Sequence, residues 1–499
     1  MKLLSRLLQQ IYKFSSSSKA LPLVAAIASG LYPLIHYYNS NFIMINSWYH
    51  FLFFTVMFFI VPCVIFHVLH YYLLNRITFL QTYSKYLIPV LNMCFFVFFM
   101  MVITFGLKKK ILVLALSITL VITVLLLYKH IKKIIVLQYV LAFVAFIMLV
   151  PKLYLNSFQT HGWMNHTDDI EQVVFKKRPN IYFIQPDGYV NFSELKNRIY
   201  NFDNSQFEEY IDNKNFEIYD RFKSNYSSTL YSNSSIFAMK HHYYGDQTNR
   251  GSYDYRKRIV GKNDVLSVFD KNDYKTHLLL DQPYFLLNRA ELAYDYCNIN
   301  YNDIPHFSRG FDMGSDLNEE LKILINNNKK SSNFYFLQKI LPAHIVNFER
   351  KSEGVAKERL NYLEKLKEAN EWLKKIINTI DSNDPNNLII ISADHGGYVG
   401  FKSMASASTK TKDEHLINSV FSSVLAIKWP DNDVPIYDDS LKTSVNLFRV
   451  VFSYLSDNDT YLQNLQDDKS YLIIEEGAPN GVYEVINEQG SVIFDPHEK

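Results

Sequence analysis

No aspartate or glutamate occurs from Met1 to Thr167, although the chain holds 49 of them in all. The same stretch contains thirteen Lys and Arg, so the formal net charge of +2 over 499 residues hides +13 in the first third and −11 in the rest. Two physically different parts are joined. Phe, Leu, Ile, Val and Met crowd into the acid-free part, which excludes a simple cytosolic enzyme. Cysteine is nearly absent: Cys63 and Cys94 lie in apolar segments, and Cys297 stands alone in the remainder. One thiol cannot make an internal disulfide, so cysteine says nothing about redox compartment. The remainder also lacks a basic surplus, which removes nucleic-acid binding from consideration because phosphate backbones need one. No internal repeat is visible.

What the first third does have is uncharged apolar length. Such stretches recur at about 20–39, 47–75, 86–107, 111–128 and 134–151, most near the ~20 residues that cross a ~30 Å hydrocarbon core. Five spans are expected, and residues 1–151 read as a transmembrane domain. A secretory signal would be one short apolar run with a cleavage site, which several successive spans do not fit. Cytoplasmic loops are enriched in Lys and Arg. With the N-terminus inside, that side receives Lys2, Arg6, Lys13, Lys19, Arg76, Lys85, Lys129, Lys132 and Lys133, against Lys108–Lys110 outside. Everything after Pro151 then lies outside the cytoplasm, in a multi-pass protein of the cell (inner) membrane. Residues 152–178, with HTDDIEQ, Lys176, Lys177 and Arg178, read as a linker, and 179–499 as one large domain with a real core.

That domain opens on PNIYFIQPDGY (179–189), an apolar run ending at Asp187. A buried strand that delivers a carboxylate at its C-terminal end is where open α/β sheets place their sites, although an Asp-Gly after a strand is also an ordinary turn. NLIIISADHGGYVG (387–400) is a second such strand, ending in Asp394 and His395. A carboxylate beside an imidazole suits a divalent metal such as Zn or Mn, and the glycines let backbone approach closely. KSNYSSTLYSNSSIFAM (223–239) is rich in hydroxyls and can begin a helix near Thr229, where backbone N–H groups favour an anion; plain N-capping by one of several Ser and Thr is the alternative. NFYFLQKILPAHIVNF (333–348) is a further strand pattern, with His344 just past its end.

In this order the pieces resemble the sulfatase-like branch of the alkaline phosphatase superfamily. Together with five spans they look like lipoteichoic acid synthases and lipid A phosphoethanolamine transferases. SADHG is the specific element; KSNY before Thr229, AIKWP (426–430) and SVNLFRVVFSYL (444–455) are supporting echoes. The resemblance implies an N-terminal five-helix bundle followed by an α/β domain with a central, mostly parallel sheet flanked by helices. It implies that Asp187, Thr229, Asp394 and His395 surround one divalent cation (Zn, Mn or Mg), with Thr229 as nucleophile. His344 would face substrate phosphate or leaving group, and His415 would be a further histidine of the site. A second metal usually needs an Asp where Ile340 stands, and Cys297 lacks the C/S-x-P-x-R setting of true sulfatases. His241 and His242, after the nucleophile helix, are expected at the surface.

The function so implied moves a phospholipid headgroup, phosphoglycerol or phosphoethanolamine, from a lipid donor to an envelope glycan through a phospho-threonine. A membrane-bound phosphodiesterase or sulfatase-like hydrolase of the same superfamily, and a noncatalytic envelope scaffold, are the other two expectations.

Overall fold

The computed structural model describes the chain apart from residues 1–5, 7–8, 10–11, 15, 18–20, 74–75, 77–80, 82, 158–161, 245–253, 308–313 and 498–499. Lys2 and Lys19, used above for orientation, lie outside the described residues. Two compact units are present: Met1–Phe158 with the short segments Leu287–Arg289 and Pro305–Arg309, and the rest of the chain.

The first unit is helical. Its helices are α1 (Pro22–Ile45), α2 (Trp48–Tyr72), α3 (Ser84–Phe105), α4 (Lys109–Ile122) and α5 (Ile131–Ser157). Among the described residues, three helical stretches are long and apolar enough to cross a membrane: α2, α3, and a 49-residue stretch from Lys109 to Ser157. The expected count of five separate spans is thus not reproduced. Lys129 and His130 fall between the expected spans 111–128 and 134–151, yet with Tyr128 they form a 3₁₀ segment that carries helix from α4 into α5. At about 1.5 Å per residue the whole stretch is more than twice the hydrocarbon thickness. α1 carries Ser29, His36, Asn39 and Asn41, so it is less apolar than the others. It packs against α2, α3 and α5 and buries Ala25, Ala26, Ala28, Ser29 and Gly30. Small residues allow backbones to meet closely where lipid offers no hydrophobic drive for association. At Gly30 the approach is extreme, since a Cβ would lie 1.9 Å from the Phe58 carbonyl oxygen. Asn92 and Gln138 exchange two amide hydrogen bonds at 2.9 and 3.0 Å, and Asn92 also donates to the Ala25 carbonyl. A polar tie thus joins α1, α3 and α5.

The second unit is built on a seven-stranded sheet with the order β2-β7-β6-β1-β5-β3-β4. The strands are β1 (Asn180–Pro186), β2 (Glu217–Ile218), β3 (Tyr274–Leu280), β4 (Tyr296–Cys297), β5 (Ser332–Lys339), β6 (Asn387–Ser392) and β7 (Leu425–Lys428). β1 pairs in parallel with both β5 and β6, and β3 with β4 and β5, whereas β7 runs antiparallel to β6 and β2. The sheet is therefore mixed around a parallel core. β6 is buried throughout and β1 almost so, which is why both read as unbroken apolar runs rather than alternating ones. Helices α6 (Thr229–Ala238), α7 (Asp264–Lys271), α8 (Val355–Asn383), α9 (Glu414–Phe421) and α10 (Leu447–Ser456) accompany the sheet. A separate antiparallel sheet, β10-β9-β8, is formed by Val492–Pro496, Gly481–Ile486 and Ser470–Ile474. Because β1, β3, β5 and β6 are mutually parallel, Asp187, Asp281, His344 and Asp394 all follow the same edge of the sheet.

Gly30→Ala should lower the stability of the detergent-solubilised protein by about 1–3 kcal/mol, the usual cost of overpacking. Thermal denaturation followed by size-exclusion chromatography checks this, with Ala28→Gly as a milder control.

Candidate active site and metal centre

β1 ends at Pro186, and Asp187 follows with its backbone N–H donating to the Lys339 carbonyl at 2.9 Å, so the β1–β5 ladder fixes where its side chain starts. Gly188 must turn with φ +67°, and a Cβ there would lie 2.6 Å from the Ala343 carbonyl oxygen. Only glycine meets both conditions cheaply. Tyr362, from α8, donates to the Gly188 carbonyl at 2.9 Å and accepts from Val190 N–H at 3.1 Å, which pins the turn. On the neighbouring strand, Asp394 and His395 emerge beyond β6. A Cβ on Gly396 would meet the Ser419 carbonyl, and one on Gly397 the Tyr362 ring.

Thr229 is the first residue of α6, and Ser228 before it makes no side-chain cap. The capping alternative is thus not realised by the residue in that position, and the first-turn N–H groups keep the polarity that favours an anion. α6 is held to β1 by a reciprocal amide pair, Gln185 with Asn233, at 2.9 Å in each direction, and Asn233 also donates to the Thr229 carbonyl.

These elements bring Asp187, Thr229, Asp394 and His395 together. Thr229 Oγ1 donates to Asp187 Oδ1 at 2.9 Å and lies 3.4 Å from His395 Nε2. His395 Nε2 is 3.4 Å from Asp394 Oδ2 and 4.0 Å from Asp187 Oδ1. All four residues are buried, Asp394 and His395 completely. His395 Nδ1 donates to the Gly396 carbonyl at 2.8 Å, and in that neutral tautomer Nε2 presents a lone pair to the cluster. Asp394 Oδ1 accepts from Gly188 N–H at 3.1 Å, but Oδ2 is buried with no hydrogen-bond partner among the described residues. Burial and the neighbouring Asp394 carboxylate push the Asp187 carboxyl well above the usual carboxylate range. Four groups with lone pairs thus face one another in a buried cluster. A divalent cation resolves this, and two carboxylates, an imidazole and a hydroxyl are a donor set that suits one. The residues present fit a metal.

His344 stands beside the cluster, its ring centroid 5.9 Å from that of His395. Its Nδ1 donates to the Ile345 carbonyl, leaving Nε2 open, and burial together with His395 lowers its pKa to about 4. It is neutral at neutral pH. His415 is not brought in: it lies in the first turn of α9, where Asp413 caps its N–H, and no described hydrogen bond, ion pair or ring contact joins it to the other five residues. The expectation that His241 and His242 are surface residues is corrected. Both are buried in an aromatic cluster, His242 stacked on Tyr226 at 3.9 Å. Both nitrogens of each ring are hydrogen-bonded, so neither has a lone pair to spare for a metal.

Tyr398 was missed in the sequence. It has φ +62°, a conformation costly for a residue with a Cβ, yet its hydroxyl donates to the Ser227 carbonyl and its ring lies 5.7 Å from His395 and 6.1 Å from His344. It ties the Asp394–His395 loop to the entry of α6. Asp281, at the end of β3, accepts from Ile340 N–H and is raised by burial to about 6. The available signal was a polar residue inside or directly after an apolar strand, which Gln185 and Asp281 share. A second grouping, His166, Glu171 and Asp264, also brings metal-ligating atoms together. There His166 Nδ1 accepts from Arg449 at 3.1 Å, so its Nε2 carries the proton and faces Asp264 at 3.4 Å. This grouping adjoins the Arg449–Asp168 ion pair and has no imidazole lone pair to offer.

No protein-family model matches the chain, and no curated protein matches it. Among solved structures, the chain is similar to the C-terminal periplasmic domain of EcEptC from Escherichia coli, at 9% identity over 62% of this chain and 93% of that one, with a TM-score of 0.42. It is similar to the integral membrane protein lipooligosaccharide phosphoethanolamine transferase A from Neisseria meningitidis, at 12% identity over 87% and 95%, with a TM-score of 0.41. A third similar structure is the lipoteichoic acid synthase LtaP from Listeria monocytogenes, at 16% identity over 65% and 91%, with a TM-score of 0.40.

Adding Zn, Mn or Mg to chelator-treated protein should raise its melting temperature, by the equivalent of about 2.7 kcal/mol at a hundredfold excess over Kd. Asp394→Asn should melt no lower than the wild type when both are metal-free, because it removes a buried charge repulsion, and should lose most of the metal-dependent rise. A metal-free Asp394→Asn that melts well below wild type would contradict the crowding of donors described above.

Proposed function

We propose that the chain is a membrane-anchored, metal-dependent phosphotransferase. The reading is supported by one observation above all: the Thr229 hydroxyl stands at an uncapped helix start among two carboxylates and an imidazole lone pair. Residues 1–151 form the multi-pass anchor, with a cytoplasmic N-terminus, 152–178 the linker, and 179–499 the catalytic domain, extracytoplasmic at the cell (inner) membrane. Asp187, Thr229, Asp394 and His395 would hold the cation, whether Zn, Mn or Mg. When bound, it supplies positive charge that favours the alkoxide form of the hydroxyl and offsets negative charge on a phosphoryl oxygen.

The rest is done by the chain. Asp187, which accepts the Thr229 proton in the resting arrangement, orients the hydroxyl for attack on the phosphorus of a phospholipid headgroup. The Oγ1–P bond forms as the bond from phosphorus to the diacylglycerol oxygen breaks, and the proton given up by the Thr229 hydroxyl ends on that leaving oxygen, which departs as the neutral alcohol. The first-turn N–H groups of α6 face the phosphoryl oxygens and stabilise the charge developing there. In the second half, a hydroxyl of an envelope glycan replaces Thr229 at phosphorus. Neutral His344, with Nε2 open, takes the proton of that hydroxyl or, in the first half, contacts the leaving group. Phosphoglycerol and phosphoethanolamine are the two groups proposed. Tethering keeps the site among its lipid donors and raises their effective concentration.

With a phospholipid labelled in its headgroup, label should pass to glycan, and Thr229→Ala should reduce transfer roughly 10⁴-fold or more. Release of the label as free headgroup phosphate, with none on glycan, would make the chain a hydrolase; retained transfer in Thr229→Ala would refute the nucleophile. Since the charged form of His344 is disfavoured, wild-type activity should hold as pH falls through 6.5 and decline only near 4, and His344→Ala should lose that limb.

A further inference from the structure

β2 is the edge strand of the seven-stranded sheet and runs parallel to β6, because both are antiparallel to β7 between them. Its chain therefore leaves the sheet at the edge where Asp394 emerges. Tyr219, the next residue, donates its N–H to the Leu425 carbonyl at 3.0 Å, and Leu425 pairs with Ser392. Tyr219 thus stands level with the end of β6, two strand spacings or about 10 Å from it. Further along, Lys223 bridges to Ser422, while the adjacent Ser423 bridges to Val190, three residues after Asp187. Lys223 is therefore also about 10 Å from the loop that carries Asp187, and it precedes Thr229 by six residues.

This stretch, from Ile218 to Lys223, is one wall of a groove of about 1210 Å³. The opposite walls include Leu465, Gln466 and the turn of Glu488, Gln489 and Gly490 between β9 and β10. Side chains of both signs line it: Arg221, Lys223 and Lys442 on one hand, Asp220, Asp439, Asp467, Asp468 and Glu488 on the other. Among the described residues none of these side chains forms an ion pair. Asp468 is engaged otherwise, accepting from Thr443 Oγ1 at 2.7 Å and from Asn446 at 3.0 Å, which fixes its wall. Lys223 is half-buried, and burial pushes its ammonium below the usual lysine range. An ammonium has three protons to donate, yet the Lys223 Nζ reaches one acceptor among the described residues, the Gly490 carbonyl at 3.4 Å.

An occupant of a single charge fits these walls badly, since a polyanion would meet five carboxylates and a polycation three cations. A hydroxyl both donates and accepts, so an uncharged polyol can serve ammonium, guanidinium and carboxylate alike. The volume exceeds the ~300–1000 Å³ of pockets for single small molecules, which leaves room for linked units. We infer that this groove holds the acceptor, as an uncharged, hydroxyl-rich oligosaccharide gripped between Lys223 and the carboxylates facing it, with one hydroxyl extended toward Thr229. Its role as acceptor rests on the phosphotransfer reading; its occupancy by saccharide does not. The groove shares no residue with the Thr229 cluster, and it gives the small sheet a task, because the β9–β10 turn closes one side.

Microscale thermophoresis of the full chain in detergent tests this, with neutral hexasaccharides of glucose, galactose, mannose and N-acetylglucosamine and the anionic hexamer of galacturonic acid as probes. At least one neutral hexasaccharide should bind about tenfold or more tightly than the anionic one, in wild type and Thr229→Ala alike. Lys223→Gln and Asp467→Asn should each weaken it about tenfold, the scale of one charge-assisted hydrogen bond. Asp467 is exposed, so Asp467→Asn decides the matter if Lys223→Gln fails to fold. With labelled phospholipid, both variants should raise the KM for glycan and leave single-turnover release of diacylglycerol unchanged. Saccharide binding that depends on Asp467 in a chain without any transfer would uphold the groove and sink the phosphotransfer reading. Failure of every neutral hexasaccharide to bind, tighter binding of the galacturonic acid hexamer, or unchanged affinity in Asp467→Asn would each overturn the groove itself.

Discussion

Two buried carboxylates and an imidazole lone pair that face one another cannot be stable by themselves, and the catalytic unit is organised around that repulsion. Asp394 arrives with one oxygen satisfied by Gly188 N–H and the other by nothing. Asp187 is held above the usual carboxylate range. The surrounding residues do not relieve the conflict; they hold it in place. The parallel pairing of β1 with β5 and β6 sets the two carboxylates on adjacent strand ends, glycines at 188, 396 and 397 let the backbones close in, and Tyr362 locks the turn. A cation turns the same arrangement from a cost into a binding free energy, so folding and metal affinity are linked.

Much of this was readable because parallel strands buried on both faces write themselves as continuous apolar runs. β1 and β6 each end where the run ends, and the polar residues that follow, Asp187 and Asp394–His395, are the ones the structure brings together with Thr229. What the sequence does not encode locally are the ties across long separations. Gln185 and Asn233 are 48 residues apart, and Tyr362 reaches back 174 residues to Gly188; each reads in isolation as an ordinary polar or aromatic residue. His241 and His242 went wrong for the same reason. Two histidines followed by two tyrosines look polar, and only the tertiary setting shows them sealed among Tyr226, Tyr231, Tyr244 and Tyr471. In the helical unit, hydropathy marked every apolar stretch but could not show that Tyr128–His130 would stay helical.

The helical unit and the sheet unit treat charge in opposite ways. The sheet unit buries acid and leaves it for a cation; the helical unit carries cations and contains no acid.

The reciprocal amide pair between Gln185 and Asn233 has one more consequence. It couples the helix that carries Thr229 to the strand that carries Asp187, which holds the hydroxyl and the carboxylate side by side. A centre whose hydroxyl and carboxylate are held at one point leaves translation to the molecules that visit it. The fixed geometry lies in the chain, and movement is left to whatever enters and leaves the sheet edge.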